Sequence, residues 1–171
     1  MTKAKLQVSA ELLAEMKEYL SYDPETGHFT WIKKRKAQSV AGDLAGSLEK
    51  SGYIRIGFKG DVYNAHRLAW LFYYGIMPKD LIDHKNGNRS DNWITNLREC
   101  SNKENQQNQQ KAQIDNKTGM LGVCWDSYNN RYKAAIKVDG KIRNLGNFNT
   151  PEEAHKKYLE EKRKVHSFCM I

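Results

Sequence analysis

The sequence predicts an α+β protein in two parts, on three observations. Helix-period apolar stretches stand apart from short alternating ones, Gly- and Asn-rich turns separate them, and a late run of strands is closed by a single helix. Residues Ser9 to Tyr19 read as a helix, with Ser9 as N-cap and Leu12, Leu13, Met16, Tyr19 and Leu20 at helical spacing. Tyr22-Asp23-Pro24-Glu25-Thr26-Gly27 is turn chemistry, and His28 to Ile32 alternates as a short strand with a basic exit from Lys33 to Lys36. A Gly-rich turn near Gly42 to Gly46 leads to Tyr53 to Phe58. That stretch and Val62 to Asn64 flank Lys59-Gly60-Asp61 as a hairpin. A strongly apolar helix, Ala65 to Tyr74, is ended by Gly75 and Pro78. After a polar, Asn-rich region from Leu81 to Gln110, Gln106 to Lys117 lacks apolar periodicity and reads in part as a linker. Gly122 to Gly146 holds two or three strands, with Asp139-Gly140 as a hairpin turn. Thr150-Pro151-Glu152-Glu153 opens the last helix: Thr at the cap, Pro at the first position, Glu at the third.

Bulk properties narrow the class. A chain of 171 residues with 39% apolar content supports one domain or two small ones, resting on several small apolar clusters. A net charge of +8 and a pI near 9.3 favour polyanionic partners through counterion release, although a merely soluble basic protein also fits. Cys100, Cys124 and Cys169 are scattered and odd in number, against a disulfide framework or a thiolate zinc site, and a reducing cytoplasm suits them. Met1 to Ser9 has no apolar core of signal-peptide length, and no apolar run approaches a membrane span, so an intracellular protein is expected.

The chemistry concentrates in Ile82-Asp83-His84-Lys85-Asn86-Gly87-Asn88 and Asp91-Asn92-Trp93-Ile94-Thr95-Asn96-Leu97-Arg98. Asp83 and His84 follow an apolar pair at a strand end, Asn86-Gly87 turns the chain, and a weaker strand around Trp93 to Leu97 brings it back. Glu104-Asn105 then falls on a helix that Ser101 caps. Phosphodiester hydrolysis needs a base to activate water and a Lewis acid to stabilise charge. Histidine suits the base, with an ordinary pKa of about 6.5. Asp and Asn oxygens suit a hard cation such as magnesium. Adjacent strand residues point to opposite faces, so Asp83 and His84 cannot share one side. Taken alone, Asp-His equally fits a polar hairpin in which Asp83 and Asn86 make local turn hydrogen bonds.

Order and spacing make this stretch resemble the HNH endonucleases, particularly the phage and intron homing group whose motif reads Asp-His-x-Asn/Asp-Gly. A second Asn follows the His by twelve residues, as Asn96 follows His84 (96 − 84 = 12), and a third position lies on the next helix, as Asn105 does. His66-Arg67-Leu68-Ala69-Trp70, the Tyr22 to Gly27 phrase and Ala41-Gly42-Asp43 belong to the same pattern, across roughly the first two-thirds of the chain. The resemblance implies a ββα-metal core, with His84 as general base, Asp83 and Asn105 as metal ligands and Asn96 bracing the loop. It implies Mg2+, with Mn2+ served by the same ligands, and double-stranded DNA as partner. Trp93 stands where the family often has Arg, which bears on backbone contacts; Arg89 and Arg98 are further candidate DNA contacts. His66 is expected to cap or pack, and His28, His155 and His166 to lie on the surface or pack; Asn92 and Asn108 could touch DNA, but a solvated surface is the simpler account.

In the C-terminal part, alternation on the second strand turns Tyr132, Ala134 and Ile136 toward the helix. It leaves Arg131, Lys133, Ala135 and Lys137 outward. Such a basic sheet face can enter a major groove, where Arg reads guanine and Lys meets phosphate; a solvated face fits equally. Gly122-Val123-Cys124-Trp125, Tyr132 to Ile136, Leu145-Gly146-Asn147-Phe148 and Glu152-Glu153-Ala154 resemble the ethylene-response-factor type of DNA-binding domain. That resemblance implies DNA contacts at Trp125, Arg131, Lys133 and Arg143, with Lys137 added from the outward pattern. Tyr132, where many members have Trp, is expected in the core.

The expected organisation is an N-terminal α+β extension over 1–65, a nuclease core over 66–110, a linker over 111–119 and a recognition module over 120–171. The leading reading is a metal-dependent homing endonuclease acting in the cytoplasm of a host cell of a phage or mobile element. Its rival is a non-catalytic, sequence-specific DNA-binding protein on a decayed nuclease scaffold, although Asp83, His84 and Asn105 are all present. A non-specific degradative nuclease would gain little from a recognition module. Oligomeric state stays open: a monomer with one site nicks, whereas a dimer can make both breaks.

Overall fold

The computed structural model describes residues 7–33, 40–109, 112, 115–166, 168 and 169. Part of the expected linker and the basic exit at 34–36 lie outside the described residues. The chain is α+β and falls into two compact units, divided between Ser101 and Asn102.

The first unit opens with α1 (Ala10–Tyr19), whose first turn is capped where Ser9 Oγ accepts the Leu12 N–H at 3.3 Å. β1 (Leu20–Tyr22) follows directly and pairs antiparallel with β2 (Phe29–Trp31), Tyr22 opposite Phe29. Asp23 shapes the connecting turn by accepting from the Glu25 N–H at 3.0 Å and the Thr26 hydroxyl at 2.7 Å. β3 (Ser47–Leu48), β4 (Ile54–Phe58) and β5 (Asp61–Asn64) form an antiparallel sheet in that order. Lys59 and Gly60, both at positive φ, make the predicted hairpin. α2 (Ala65–Tyr74) occupies the predicted span and stops at Gly75 in the left-handed region. β6 (Leu81–His84) pairs with β7 (Leu97–Cys100), setting Asp83 opposite Arg98 and His84 opposite Leu97.

One core holds these pieces together. Met16 of α1, Leu20 of β1, alternate residues Ile56 and Phe58 of β4, and Leu68 and Leu71 of α2 are all buried. Ile82 and Leu97 join the same cluster, so β6 and β7 are seated by apolar burial on the sheet and helix beneath.

Two expectations need correction. The return strand does not run from Trp93 to Leu97: Ile94–Asn96 is a 3-10 turn and β7 begins at Leu97. The alternation of Trp93-Ile94-Thr95-Asn96 imitates a strand, but the Ile94 N–H is donated to the carbonyl of Pro24 at 3.0 Å. Two short strands, β1 and β3, were not expected, because three and two residues are too few to show a period.

The second unit holds α3 (Asn102–Gln107), then β8 (Val123–Asp126), β9 (Arg131–Val138), β10 (Lys141–Phe148) and α4 (Pro151–Val165). The antiparallel sheet has the order β10-β9-β8 and turns at Asp139 and Gly140, both at positive φ. Thr150 and Glu153 form a reciprocal capping box with Pro151 in the first turn of α4. Val123, Ala134 and Ala154 make a small core, with Tyr132 and Phe148 packed on it. Small residues are required where α4 crosses: a Cβ at Gly122 would lie 2.0 Å from the Tyr158 ring.

This crossing yields a prediction. Gly122 (φ +77°) and Gly140 (φ +82°) are both left-handed, so Ala at either costs about 1–2 kcal/mol of backbone strain. Only Gly122→Ala adds a clash, since nothing lies within 4 Å of a Cβ at Gly140. Gly122→Ala should therefore lower the denaturant midpoint of the second unit clearly more than Gly140→Ala does; equal losses would refute the packing argument.

Candidate functional site

The β6–β7 pair and the loop between them, residues 85–96, carry the polar constellation. Asp83 and His84 are consecutive on a strand and therefore face opposite ways. Asp83 is 7% exposed and meets its cross-strand neighbour: Nε and Nη2 of Arg98 each donate to Asp83 Oδ2 at 2.9 Å. Such a charge-assisted pair fixes the carboxylate in place.

On the other face, His84 is 4% exposed and its Nε2 lies 3.1 Å from Oδ1 of Asn92. Its ring is nearly perpendicular to that of His66, with centroids 5.3 Å apart, and Tyr53 stands 6.0 Å away. Burial pushes the His84 pKa below the ordinary imidazole value, against the opposing pull of Asn92 and Asp83. Burial acts harder on His66, lowering it to about 3, with the neighbouring His84 and Arg67 adding to the effect. Both rings are thus biased toward the neutral form. The expected packing role of His66 holds: it is 7% exposed, and its Nδ1 has no hydrogen-bond partner among the described residues.

Asparagines build the loop. Asn96 Nδ2 donates to Asn86 Oδ1 at 3.1 Å and to the Asp91 carbonyl at 2.8 Å, while Asn96 Oδ1 accepts the Asn86 N–H at 3.0 Å. Asn86 Nδ2 reaches Asp91 Oδ2 at 2.8 Å, and Asn88 Oδ1 accepts from the Ser90 hydroxyl and N–H. An amide both donates and accepts, so one side chain can tie two strands of a loop together. Asn86 therefore does make local turn hydrogen bonds, whereas Asp83 is bound across the sheet by Arg98.

The remaining candidates divide. Arg89 stacks on Tyr53 at 4.9 Å and donates to the Ser51 carbonyl at 3.0 Å. Asn105 is exposed on α3, in the second unit. Register separates the basic sheet residues into two sets. Arg131, Lys133 and Lys137 alternate with buried Ala134 and Ile136 and so share the open face. Arg143 pairs with Ile136 and Trp125 with Tyr132, which places both on the helix side; Arg143 is tied there to Glu161 at 3.2 Å. Asn92 and Asn108, expected at a solvated surface, are buried at 1% and 4%. Asn92 is the site residue that sequence reasoning missed, because one Asn among many in a polar loop has no distinguishing period. Among the described residues, no group of three or more His, Cys, Asp or Glu is placed to hold a metal ion, and no helix is long and apolar enough to cross a membrane.

Residues 63–107, which span this constellation, match the family model for HNH endonucleases. The matched segment thus runs from the end of β5 through α2, the β6–β7 pair and α3. The chain is also similar to DNA endonuclease I-HmuI of Bacillus phage SP01, with 33% identity over 102 residues, covering 56% of this chain and 57% of that relative. A solved structure described as DNA binding and cleavage by the HNH homing endonuclease I-HmuI matches at 31% identity. Its TM-score is 0.42, with 54% of each chain covered. The chain therefore spans little more than half the length of the relative it matches.

The buried histidine carries a pH prediction. An unfolded histidine titrates near 6.5, whereas folded His66 titrates at about 3, so between these values the unfolded state holds the extra proton. Stability from this group is complete above pH about 6.5 and falls by about 1.4 kcal/mol per pH unit as the pH drops toward 3. Denaturation across that range should show a shallower slope in His66→Phe than in the wild type; parallel slopes would remove His66 as the source.

Proposed function

We propose that this chain is a metal-dependent DNA endonuclease of the homing type, hydrolysing phosphodiester bonds at a recognised site. One observation carries the reading: the HNH match falls on the segment in which β6 presents Asp83 and His84 at adjacent positions, facing opposite ways. In this reading His84 is the general base. Burial depresses its pKa, so the imidazole is neutral near pH 7 and ready to take a proton from the attacking water. Asn96 braces the loop through its three side-chain hydrogen bonds, so that His84 and Asp83 keep their places.

Asp83 and, by resemblance, Asn105 supply a carboxylate and an amide oxygen. These are hard donors that fit magnesium, or manganese through the same atoms. The bound ion supplies Lewis-acid stabilisation of charge on the phosphate and leaving oxygen. Arg98, a candidate DNA contact by sequence, instead holds the Asp83 carboxylate from the neighbouring strand.

Residues 120–171, within the second unit, are proposed as the recognition module, of the ethylene-response-factor type. Arg131, Lys133 and Lys137 on its open face suit a duplex phosphate backbone, and the +8 charge of the chain suits the same partner. Trp125 and Arg143 lie on the helix side and contribute only at the margins of such a face. The setting would be the cytoplasm of a cell hosting a phage or mobile element.

Supercoiled plasmids carrying phage-derived inserts test the enzyme. Nicking or linearisation should require magnesium, stop with chelator, and be lost in His84→Ala with DNA binding nearly intact; Asp83→Ala should lose activity and metal dependence together. Binding without cleavage of any substrate would instead favour a decayed scaffold. For the sheet, combined Ala substitution of Arg131, Lys133 and Lys137 should weaken binding and reduce the salt slope of log K by about 2–3. An unchanged slope would move the DNA to another surface.

A further inference from the structure

We propose that Asn92 is a positioning residue for His84, and that the Tyr22–Gly27 turn exists in part to hold Asn92 in register. The inference rests on His84 being the general base, and it adds which imidazole nitrogen acts and what fixes it.

The amide of Asn92 is oriented from one end. Its Nδ2 lies 3.1 Å from the Ser90 carbonyl, which can only accept, so the atom facing that carbonyl is the nitrogen. The other atom, Oδ1, is then the one 3.1 Å from His84 Nε2. Because Oδ1 can only accept, Nε2 carries the hydrogen, and the lone pair that a base needs is on Nδ1. At 1% exposure Asn92 has no water to replace either bond, so a wrong tautomer would leave two buried acceptors facing each other.

Asn92 is itself clamped through its backbone by a segment some seventy residues earlier. The Tyr22 hydroxyl donates to the Asn92 carbonyl at 2.8 Å, and the Ile94 N–H is donated to the Pro24 carbonyl at 3.0 Å. Gly27, at φ +74°, lies directly against the loop: a Cβ there would stand 2.2 Å from the Trp93 nitrogen and 2.3 Å from the Asn92 carbonyl carbon. The contact needs glycine for both its conformation and its lack of a side chain. Burial also raises the Tyr22 hydroxyl above its ordinary pKa, so it stays protonated and donating at any working pH. The Tyr-Asp-Pro-Glu-Thr-Gly phrase thus presents one side-chain hydroxyl, one backbone carbonyl and one bare Cα to the strip that carries Asn92.

The test joins imidazole nitrogen NMR of the full-length protein to single-turnover cleavage. His84 is assigned by loss of its signals in His84→Gln, and spectra are taken at about pH 8.5, well above the ordinary imidazole pKa of about 6.5. Wild-type His84 should show a pyrrole-like Nε2 with a slowly exchanging proton and a pyridine-like Nδ1. A pyrrole-like Nδ1 would overturn the proposal without any variant. Asn92→Ala should lose the protected Nε2 proton and slow the cleavage step at least tenfold while DNA affinity changes less than twofold. Asn92→Asp, which keeps the acceptor, should restore the protected proton. Tyr22→Phe, which leaves the Asn92 side chain untouched, should give a smaller loss in the same direction. Cleavage and His84 signals that are unaltered in Asn92→Ala would refute the positioning role while leaving the endonuclease reading standing. Wild type that cuts nothing yet shows the protected Nε2 proton would refute that reading instead.

Discussion

The pairing of β6 with β7 is the constraint on which the rest of the site depends. A four-residue strand puts a carboxylate and an imidazole back to back on consecutive residues, and the antiparallel register gives each its own surroundings. Asp83 meets Arg98 across the ladder, while His84 faces the rings of His66 and Tyr53. A slip of one residue would exchange those environments, placing the histidine against a guanidinium and the carboxylate among rings. Apolar anchors, Ile82 on one strand and Leu97 on the other, prevent the slip by burying into the core of the first unit.

Much of this is legible in the sequence because it rests on local periods and on turn chemistry. α2 can be bounded at Ala65 and Tyr74 since its apolar stripe ends at a glycine, and the Lys59-Gly60 hairpin and the α4 capping box are short-range signals. What is not legible depends on partners distant in sequence. The Trp93–Asn96 stretch alternates like a strand, yet its backbone answers to Pro24. Asn92 reads as solvated because polar loops usually are, but Tyr22 and Gly27 bury it. The basic sheet residues are separable only by register, since Arg143 follows a turn whose length decides its face.

His66 shows how burial and charge work together around the proposed base. A cationic ring 5.3 Å from His84 would oppose any proton that His84 took up, whereas a neutral ring does not. Desolvation keeps His66 neutral, so the wall beside His84 is polarisable without being charged. The cost is a buried nitrogen, Nδ1, with no partner among the described residues.

The composition of the 85–96 loop follows from the same electrostatic logic. Tying a loop of this length requires side chains that donate and accept at once, and Asp or Glu can only accept when ionised. Carboxylates at positions 86, 92 and 96 would also gather negative charge beside the place where a phosphodiester is proposed to lie, opposing the approach of the polyanion. Amides avoid both problems: Asn96 spans Asn86 and Asp91, and Asn92 spans Ser90 and His84, without adding charge. Asp83, the buried carboxylate beside the loop, is the group proposed to meet a cation, and Arg98 already balances it from the adjoining strand. The abundance of asparagine thus suits a rigid loop beside the proposed anionic substrate, and the buried carboxylate, Asp83, stands where a cation is proposed to bind.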